Sequence, residues 1–354
     1  MGLPSNFGCY KRSYMKNWKV KFSNSTVEFV LDGKIASISK MVDKTNAIYI
    51  TDENVYALHQ KQFKGKPTIV IPAGEVYKQQ ATVDFIIEAL LNFGANRQSF
   101  LIGVGGGVVT DMVGYVAGIF MRGVQFGFVP TTLLAMVDAS IGGKNGIDVG
   151  VYKNMVGLIR QPSFILYDHS FLTTLPSYQW ENGFAEIIKH AAIKDAKMMN
   201  ALNENNLAFY QKNKKALAAL IQKNVEIKVK VVQKDEFEKG DRKLLNFGHT
   251  LGHAIENEHA LLHGHAISVG MVYAAKISQV LQGFTGTGLL VETLKKYGLP
   301  TAMHFDVDAA MEVMQKDKKK ANAGMQYVLL NKIGKGVYET IPMKTLQKLI
   351  KLYS

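Results

Sequence analysis

The sequence predicts an α/β domain built on a parallel sheet, followed by a second, mostly α-helical domain, with the division at residues 175 and 176. Three observations carry this. Through residue 132, short β-branched and aromatic runs alternate with helix-period segments, the pattern of βαβ units. One strand-to-helix junction is a run of glycines. From Pro176 onward β-branched runs become rare and long helix-period segments take over.

The elements follow in order. "NAIYITDENV" (46–55) reads as a strand ending in an acidic turn, and "KPTIVIPAGE" (66–75) as another strand. "VDFIIEALLNFG" (83–94) has helical spacing and stops at a glycine. "SFLIGVGGGVVTDMVGYVAG" (99–118) reads strand, glycine turn, helix, and "VQFGFVPTT" (124–132) is a further strand. Beyond Pro176, helix-period segments cover 180–195, 197–234, 244–258 and 264–282, with terminal ones near 289–297 and 344–352. No internal repeat or low-complexity linker is present. The expected domains are 1–175 and 176–354, and the cleft between them is the expected place for an active site.

The totals narrow the function classes. The 354 residues suffice for two domains, and 47% hydrophobic with 20% charged residues suits a folded soluble chain. Cys9 is the single cysteine, so no intramolecular disulfide forms and a reducing compartment fits. The N-terminus has no apolar signal region, and no apolar stretch reaches a membrane span of about 20 residues. A cytoplasmic protein without a membrane partner is expected. The net charge of +13 raises nucleic-acid binding as a possibility. The lysines are spread out except for "KDKKK" (316–320), and no zinc-finger, RRM or basic-zipper pattern occurs, so no nucleic-acid partner is expected. A solvated surface explains much of the excess, and a small anionic substrate explains several particular cations.

"GVGGGVVTD" (103–111) places glycines at 103, 105, 106 and 107 between a strand and a helix. Glycine lets the backbone approach a pyrophosphate closely, and the helix N-terminus beyond offers free N–H groups. Val108 breaks the G-x-G-x-x-G fingerprint, so the turn also reads as a tight strand–helix junction. "PTTLL" (130–134) adds two hydroxyls after the next strand, and Asp52 at an early strand end is placed to hold a ribose hydroxyl.

Four of the nine histidines, His249, His253, His263 and His265, fall within 17 positions. Upstream, "ENGFAEIIKHAAIKD" (181–195) sets Glu186 and Lys189 on one helix face. A helix-borne glutamate with two histidines is a suitable Zn²⁺ set with a position open for substrate. Spacing nominates His249 and His253 as the imidazole pair, since i,i+4 residues converge. His249 with His263 serves equally.

"GGGVVTDMVGYVA", "MRG", "PTTLLAMVDASIGGK", "YKNMVG", "GFAEIIKHAAI", "DEFEKGDRKLLNFGHTLGHAIE" and "LLHGHAISVGM" run in the order of one known family. From about residue 46 to 330 the chain resembles the 3-dehydroquinate synthases of the sugar-phosphate cyclase family. The resemblance implies an N-terminal Rossmann-like NAD-binding domain, a helical metal-binding domain and catalysis between them. It implies Glu186, His249 and His263 as ligands of Zn²⁺ or Co²⁺, with His253 contacting substrate or acting in catalysis. Arg122, Lys144, Lys153, Asn154, Lys189, Lys228, Arg242 and Asn246 match positions that bind the substrate's phosphate, carboxylate or hydroxyls. Asp138 and Glu238 match acidic positions that organise this network or contact substrate. Asp52, Glu75, Lys78, Gly106, Gly107, Asp111, Thr131, Thr132 and Thr174 match nucleotide-contacting positions. The implied reaction converts 3-deoxy-D-arabino-heptulosonate 7-phosphate to 3-dehydroquinate and phosphate, with NAD⁺ reduced and reoxidised in one turnover. A homodimer is the implied assembly.

Three departures stand out. The usual Asn-His pair between Lys144 and Lys153 is Asp148-Val149, and Tyr152 replaces a glycine. "HGE" becomes "HGH", so His265 stands beside a metal ligand where the family has glutamate. "DKKKANAG" (317–324) is one residue longer than the usual lysine loop, so Lys318 and Lys319 compete for one role. Cyclases making valiolone-type or deoxy-inosose rings, metal-dependent polyol dehydrogenases and a basic binding protein of the same fold are the rival readings. Lys228, Arg242 and Asn246 favour the carboxylate-bearing heptulosonate.

Overall fold

The computed structural model describes residues 17–150, 152–259, 261–316 and 324–354. Cys9, Lys318 and Lys319 lie outside the described residues. The chain begins with β1 (Asn17–Lys21) and β2 (Thr26–Val30), then β3 (Ala47–Asp52), α1 (Glu53–His59), β4 (Thr68–Ile71), α2 (Gln80–Asn92), β5 (Phe100–Gly105), α3 (Gly107–Ile119) and β6 (Gln125–Pro130). A separate hairpin, β7 (Lys144–Val149) and β8 (Tyr152–Ile159), precedes β9 (Phe164–Leu166).

Seven strands form one sheet in the order β1-β2-β9-β6-β5-β3-β4, parallel except for the β1–β2 pair. From β3 the chain steps to β4 on one side and to β5 and β6 on the other. Strand order therefore reverses between β3 and β5, and a crevice opens beyond their C-terminal ends. Asp52 ends β3 and Gly105 ends β5, so the two sequence-nominated nucleotide elements flank this crevice. Both sheet faces are covered: Ile50, Leu101 and Phe128 join the larger core, while Tyr49, Ile102, Val104 and Val129 join a second cluster with Ile35 and Ile38. This is the double burial that the near-continuous apolar runs of parallel strands require.

The second half comprises α4 (Ser177–Lys194), α5 (Ala196–Glu204), α6 (Leu207–Lys212), α7 (Lys214–Lys234), α8 (His249–His259), α9 (His263–Gln282), α10 (Thr287–Lys296), α11 (Val307–Lys316), the hairpin β10 (Met325–Lys332) and β11 (Lys335–Ile341), and α12 (Met343–Tyr353). The single helical run read over 197–234 is three helices. Asn206 accepts from the Phe209 N–H and Asn213 from the Ala216 N–H, so each caps a new start within the run. The β10–β11 hairpin is an addition to the helical half that the sequence reading lacked. Helix α4 is central: Phe184, Ile187, Ile188 and Ala191 are enclosed in the larger core, which continues into α9 through Val272 and Ala275. No described helix is long and apolar enough to cross a membrane.

Candidate active site

The glycine turn is dictated by packing. A Cβ on Gly105 would lie 2.4 Å from Val109, and one on Gly107 would lie 3.2 Å from the Ala139 Cβ. Gly106 caps α3 without a side chain, so the first-turn N–H groups of a 13-residue helix face the crevice with no side-chain acceptor. Beside them, the Thr131 N–H donates to the Gly105 carbonyl at 2.9 Å. The Thr131 hydroxyl is buried without a hydrogen-bond partner, and Thr132 accepts from the Ala135 N–H. Asp52, at the end of β3, caps α1 by accepting from the Val55 N–H at 2.9 Å.

Lys78 joins the hairpin to this crevice. Its ammonium donates to Asp111 Oδ2 and to Asn154 Oδ1, both at 2.6 Å, and stands 3.8 Å from Glu75. Asp148 accepts from the Asn154 N–H at 2.7 Å, while its own N–H donates to the Lys78 carbonyl. The replacement at 148 thus holds the turn carrying Asn154, whose φ is +55°.

The metal-type cluster lies on three helices. Glu186, wholly buried on α4, faces His249 of α8 and His263 of α9, with Nε2–Oε1 separations of 3.5 and 3.4 Å. Two ligands about 2.0–2.1 Å from a tetrahedral zinc lie about 3.3 Å apart, so the spacing fits a cation between them. Neither Glu186 oxygen makes a hydrogen bond, although Lys189 is in ion-pair contact. Burial by itself would raise the Glu186 carboxyl. Lys189 and the facing imidazoles overcome that and hold it well below the usual carboxylate range. Burial and the nearby Lys189 keep His249 neutral, well below its ordinary value. Against its burial, Glu186 and Glu256 push His263 up to about 9. The donor set fits a divalent cation, whose binding would displace the His263 proton.

Spacing alone left two imidazole pairs open, and the structure pairs His249 with His263 around Glu186. His253, one turn along α8, instead lines a cavity of about 480 Å³ with Glu238, Lys243, Asn246 and His249. Gln326 and Tyr338 of the β10–β11 hairpin form its opposite wall. His265 points away from the cluster, with Nε2 3.2 Å from Glu181.

The remaining cations converge around the cleft in ion pairs. Lys144 contacts Glu238, which also accepts from Asn246 at 2.6 Å. Lys153 contacts Glu256. Lys228 forms an ion pair with the Asp138 carboxylate at 2.7 Å and donates to the Asp138 carbonyl at 2.7 Å, the latter presented by a π-helical turn over Ala135–Ala139. Arg242 is buried, and its guanidinium donates to the Glu236 and Gly142 carbonyls, so part of its fork is committed to backbone.

Two nominated residues are not brought in. Arg122 is exposed at the far end of α3, whose 13 residues carry the chain about 20 Å from the glycine turn. Thr174 bonds His59 at 2.8 Å, at the C-terminal end of α1, whereas Asp52 caps the other end about 10 Å away. Conversely, sequence reasoning missed Glu256 and the buried pair His190–Asn224. His190 Nδ1 is 3.0 Å from Asn224 Oδ1, and its Nε2 lies 3.4 Å from Asp138. The available signals were the place of His190 beside Lys189 and of Glu256 one helical turn after His253.

Known proteins resemble this chain over most of its length. Residues 68–182 match the family model for the 3-dehydroquinate synthase N-terminal part, and residues 183–320 the C-terminal part. The 3-dehydroquinate synthase of Pyrococcus furiosus is 43% identical over 286 residues, 80% of this chain and 83% of the relative. Among solved structures, 2-deoxy-scyllo-inosose synthase complexed with carbaglucose-6-phosphate, NAD⁺ and Co²⁺ superposes with a TM-score of 0.83 at 25% identity, covering 95% of this chain and 99% of that one. The 2-epi-5-epi-valiolone synthase of Streptomyces hygroscopicus, with NAD⁺ and Zn²⁺ bound, has the same score and identity over 94% and 97%.

Proposed function

The chain belongs to the 3-dehydroquinate synthase family, and from that premise we propose that it converts 3-deoxy-D-arabino-heptulosonate 7-phosphate to 3-dehydroquinate and phosphate, as an NAD- and divalent-metal-dependent phosphate lyase of the cytoplasm. The observation that carries the reading is the Glu186–His249–His263 cluster, spaced for a cation and ringed by substrate-type cations. The 43% identity to a 3-dehydroquinate synthase, against 25% to the other two cyclases, favours the heptulosonate over their substrates.

Residues 1–175 supply the NAD side and 176–354 the metal side. Asp52, Glu75, Lys78, Gly106, Gly107, Asp111, Thr131 and Thr132 would hold the dinucleotide at the crevice, with the α3 N-terminus available to its pyrophosphate. Glu186, His249 and His263 would hold the metal. When bound, these groups supply a hydride acceptor and a Lewis acid that lowers the pKa of a substrate hydroxyl.

The chain's own residues do the rest. Lys144, Lys153, Lys228 and Arg242 neutralise the phosphate and carboxylate, the lysines as point charges and Arg242 as a fork. Glu238 holds Lys144 at the cleft until the substrate's anionic groups replace it, and Glu256 pairs with Lys153. Asp138 fixes the Lys228 ammonium. His253, Asn246 and Asn154 present hydrogen-bonding groups to the sugar hydroxyls, and Lys189 offsets the Glu186 charge. In the homodimer, the second copy covers the exposed apolar side chains Ile119, Met121, Met155 and Ile159, beside Arg122.

Phosphate release from the heptulosonate phosphate with NAD⁺ and Zn²⁺ tests the proposal, with NADH absorbance followed throughout. Release without net NADH, abolished by a chelator and restored by Zn²⁺ or Co²⁺, is expected. Net NADH without phosphate would place the chain among the dehydrogenases instead.

A further inference from the structure

Glu256 sits on α8 seven residues after His249 and three after His253, so all three side chains share one helix face. It is 7% exposed, and its two oxygens are divided between partners from opposite sides of the cleft. Oε2 lies 3.4 Å from His263 Nδ1 on α9, and Oε1 contacts the Lys153 ammonium on β8.

The consequence lies in the imidazole tautomer. A neutral imidazole has one N–H and one lone pair. Once a cation displaces the second His263 proton, a carboxylate at Nδ1 keeps the remaining hydrogen there and leaves the Nε2 lone pair on the side of Glu186, 3.4 Å away. His249 shows the same arrangement with a weaker acceptor: its Nδ1 stands 3.2 Å from the Phe247 carbonyl while Nε2 faces Glu186. Both ring orientations are those of ligating histidines steadied from behind by an oxygen.

We infer that Glu256 is a positioning residue for metal binding: it fixes the His263 tautomer and ring orientation, and Lys153 keeps it from becoming a ligand itself. The second half follows from its surroundings. Glu256, His253 and His263 themselves converge closely enough to hold a cation, and the Lys153 ammonium neutralises the carboxylate through Oε1. The inference rests on Glu186, His249 and His263 being the metal ligands.

Zn²⁺ affinity, measured by competition with a chelating indicator and without substrate, tests it. Glu256→Ala is expected to weaken Zn²⁺ binding 10–100-fold, the usual effect of removing a group behind a ligating histidine. Glu256→Gln preserves shape and keeps one acceptor for the Nδ1 hydrogen, so it is expected to fall between wild type and Ala. It also serves as the readout should Glu256→Ala fail to fold. Lys153→Met leaves the carboxylate on His263 and is expected to hold Zn²⁺ within threefold of wild type or more tightly. A Glu256–Lys153 pair that merely ties the two halves together would weaken equally in Glu256→Ala and Lys153→Met, and that result overturns the inference. So does Glu256→Ala or Glu256→Gln binding Zn²⁺ within twofold of wild type. Wild-type protein that fails to bind Zn²⁺ would instead refute the ligand assignment underneath.

Discussion

Substituting Gly270 by alanine tests whether close backbone packing sets the metal geometry. Gly270 lies on α9 where that helix crosses the start of α8. A Cβ there would stand 2.0 Å from the Gly248 carbonyl oxygen and 2.9 Å from the Gly252 nitrogen. Carbon and carbonyl oxygen approach to about 3.3 Å at closest, so the two backbones must part by about 1.3 Å. Both obstacles are backbone atoms, so no rotamer change relieves them. The next residue after Gly248 is His249, and the displaced helix carries it away from Glu186. Metal–ligand distances tolerate about 0.2 Å. Overpacking of this kind costs about 1–3 kcal/mol, a fall in Tm of about 2–6 °C at roughly 2 °C per kcal/mol for a chain of this size. Zn²⁺ affinity should drop at least tenfold. Phosphate release at saturating metal should drop by about a hundredfold, the cost of a displacement near 1 Å in a reacting constellation. Calorimetry and chelator competition on Gly270→Ala read both quantities. A variant melting within 1 °C of wild type and binding Zn²⁺ within twofold would refute the claim that this crossing positions His249.

Three further outcomes are expected. A Cβ added to Gly288, in the first turn of α10, would meet nothing within 4 Å, so Gly288→Ala should stabilise by about 0.4–1 kcal/mol through the unfolded chain; denaturant titration showing destabilisation would contradict the open packing. Glu186→Gln should abolish stoichiometric Zn²⁺ uptake, because the one carboxylate facing both ligating imidazoles is neutralised; retention of one metal per chain by elemental analysis would remove Glu186 from the ligand set. Asp195 caps α5 through the Met198 N–H at 3.0 Å and pairs with Lys223 at 2.9 Å. Burial would raise its carboxyl, but these partners hold it below its ordinary value. Its contribution is therefore complete above the unfolded pKa near 3.9 and disappears as pH falls through the lower folded value. The destabilisation in Asp195→Ala, about 0.5–2 kcal/mol near pH 7, should shrink only below about pH 4. A penalty that changes between pH 6 and 8 would assign it to another group.

Much of the fold was legible because its signals are local. Strands β3, β4, β5 and β6 are apolar runs bounded by turn residues, and α2, α3, α4 and α9 keep helical spacing over several turns. Breaks carried by single capping residues were harder to read, so Asn206 and Asn213 passed unnoticed inside one long helical pattern. The hairpins β7–β8 and β10–β11 were missed because each strand has meaning only against its partner. β8 is largely exposed and carries no burial alternation.

By itself the sequence determined the residue types of the site, the glycine turn and the order of motifs that identifies the family. It also put Glu186 with Lys189, and His249 with His253, on common helix faces, since 3.6-residue periodicity relates neighbours within one helix. Only the tertiary structure decided which of those faces meet. The glycine-mediated crossing of α8 and α9 brings His263 rather than His253 to Glu186, and it sets Glu256 behind His263. The length of α3 carries Arg122 away from the turn that the same helix begins. Distances between elements depend on how closely backbones can approach and on where each helix stops, and neither quantity is written in the spacing of one segment.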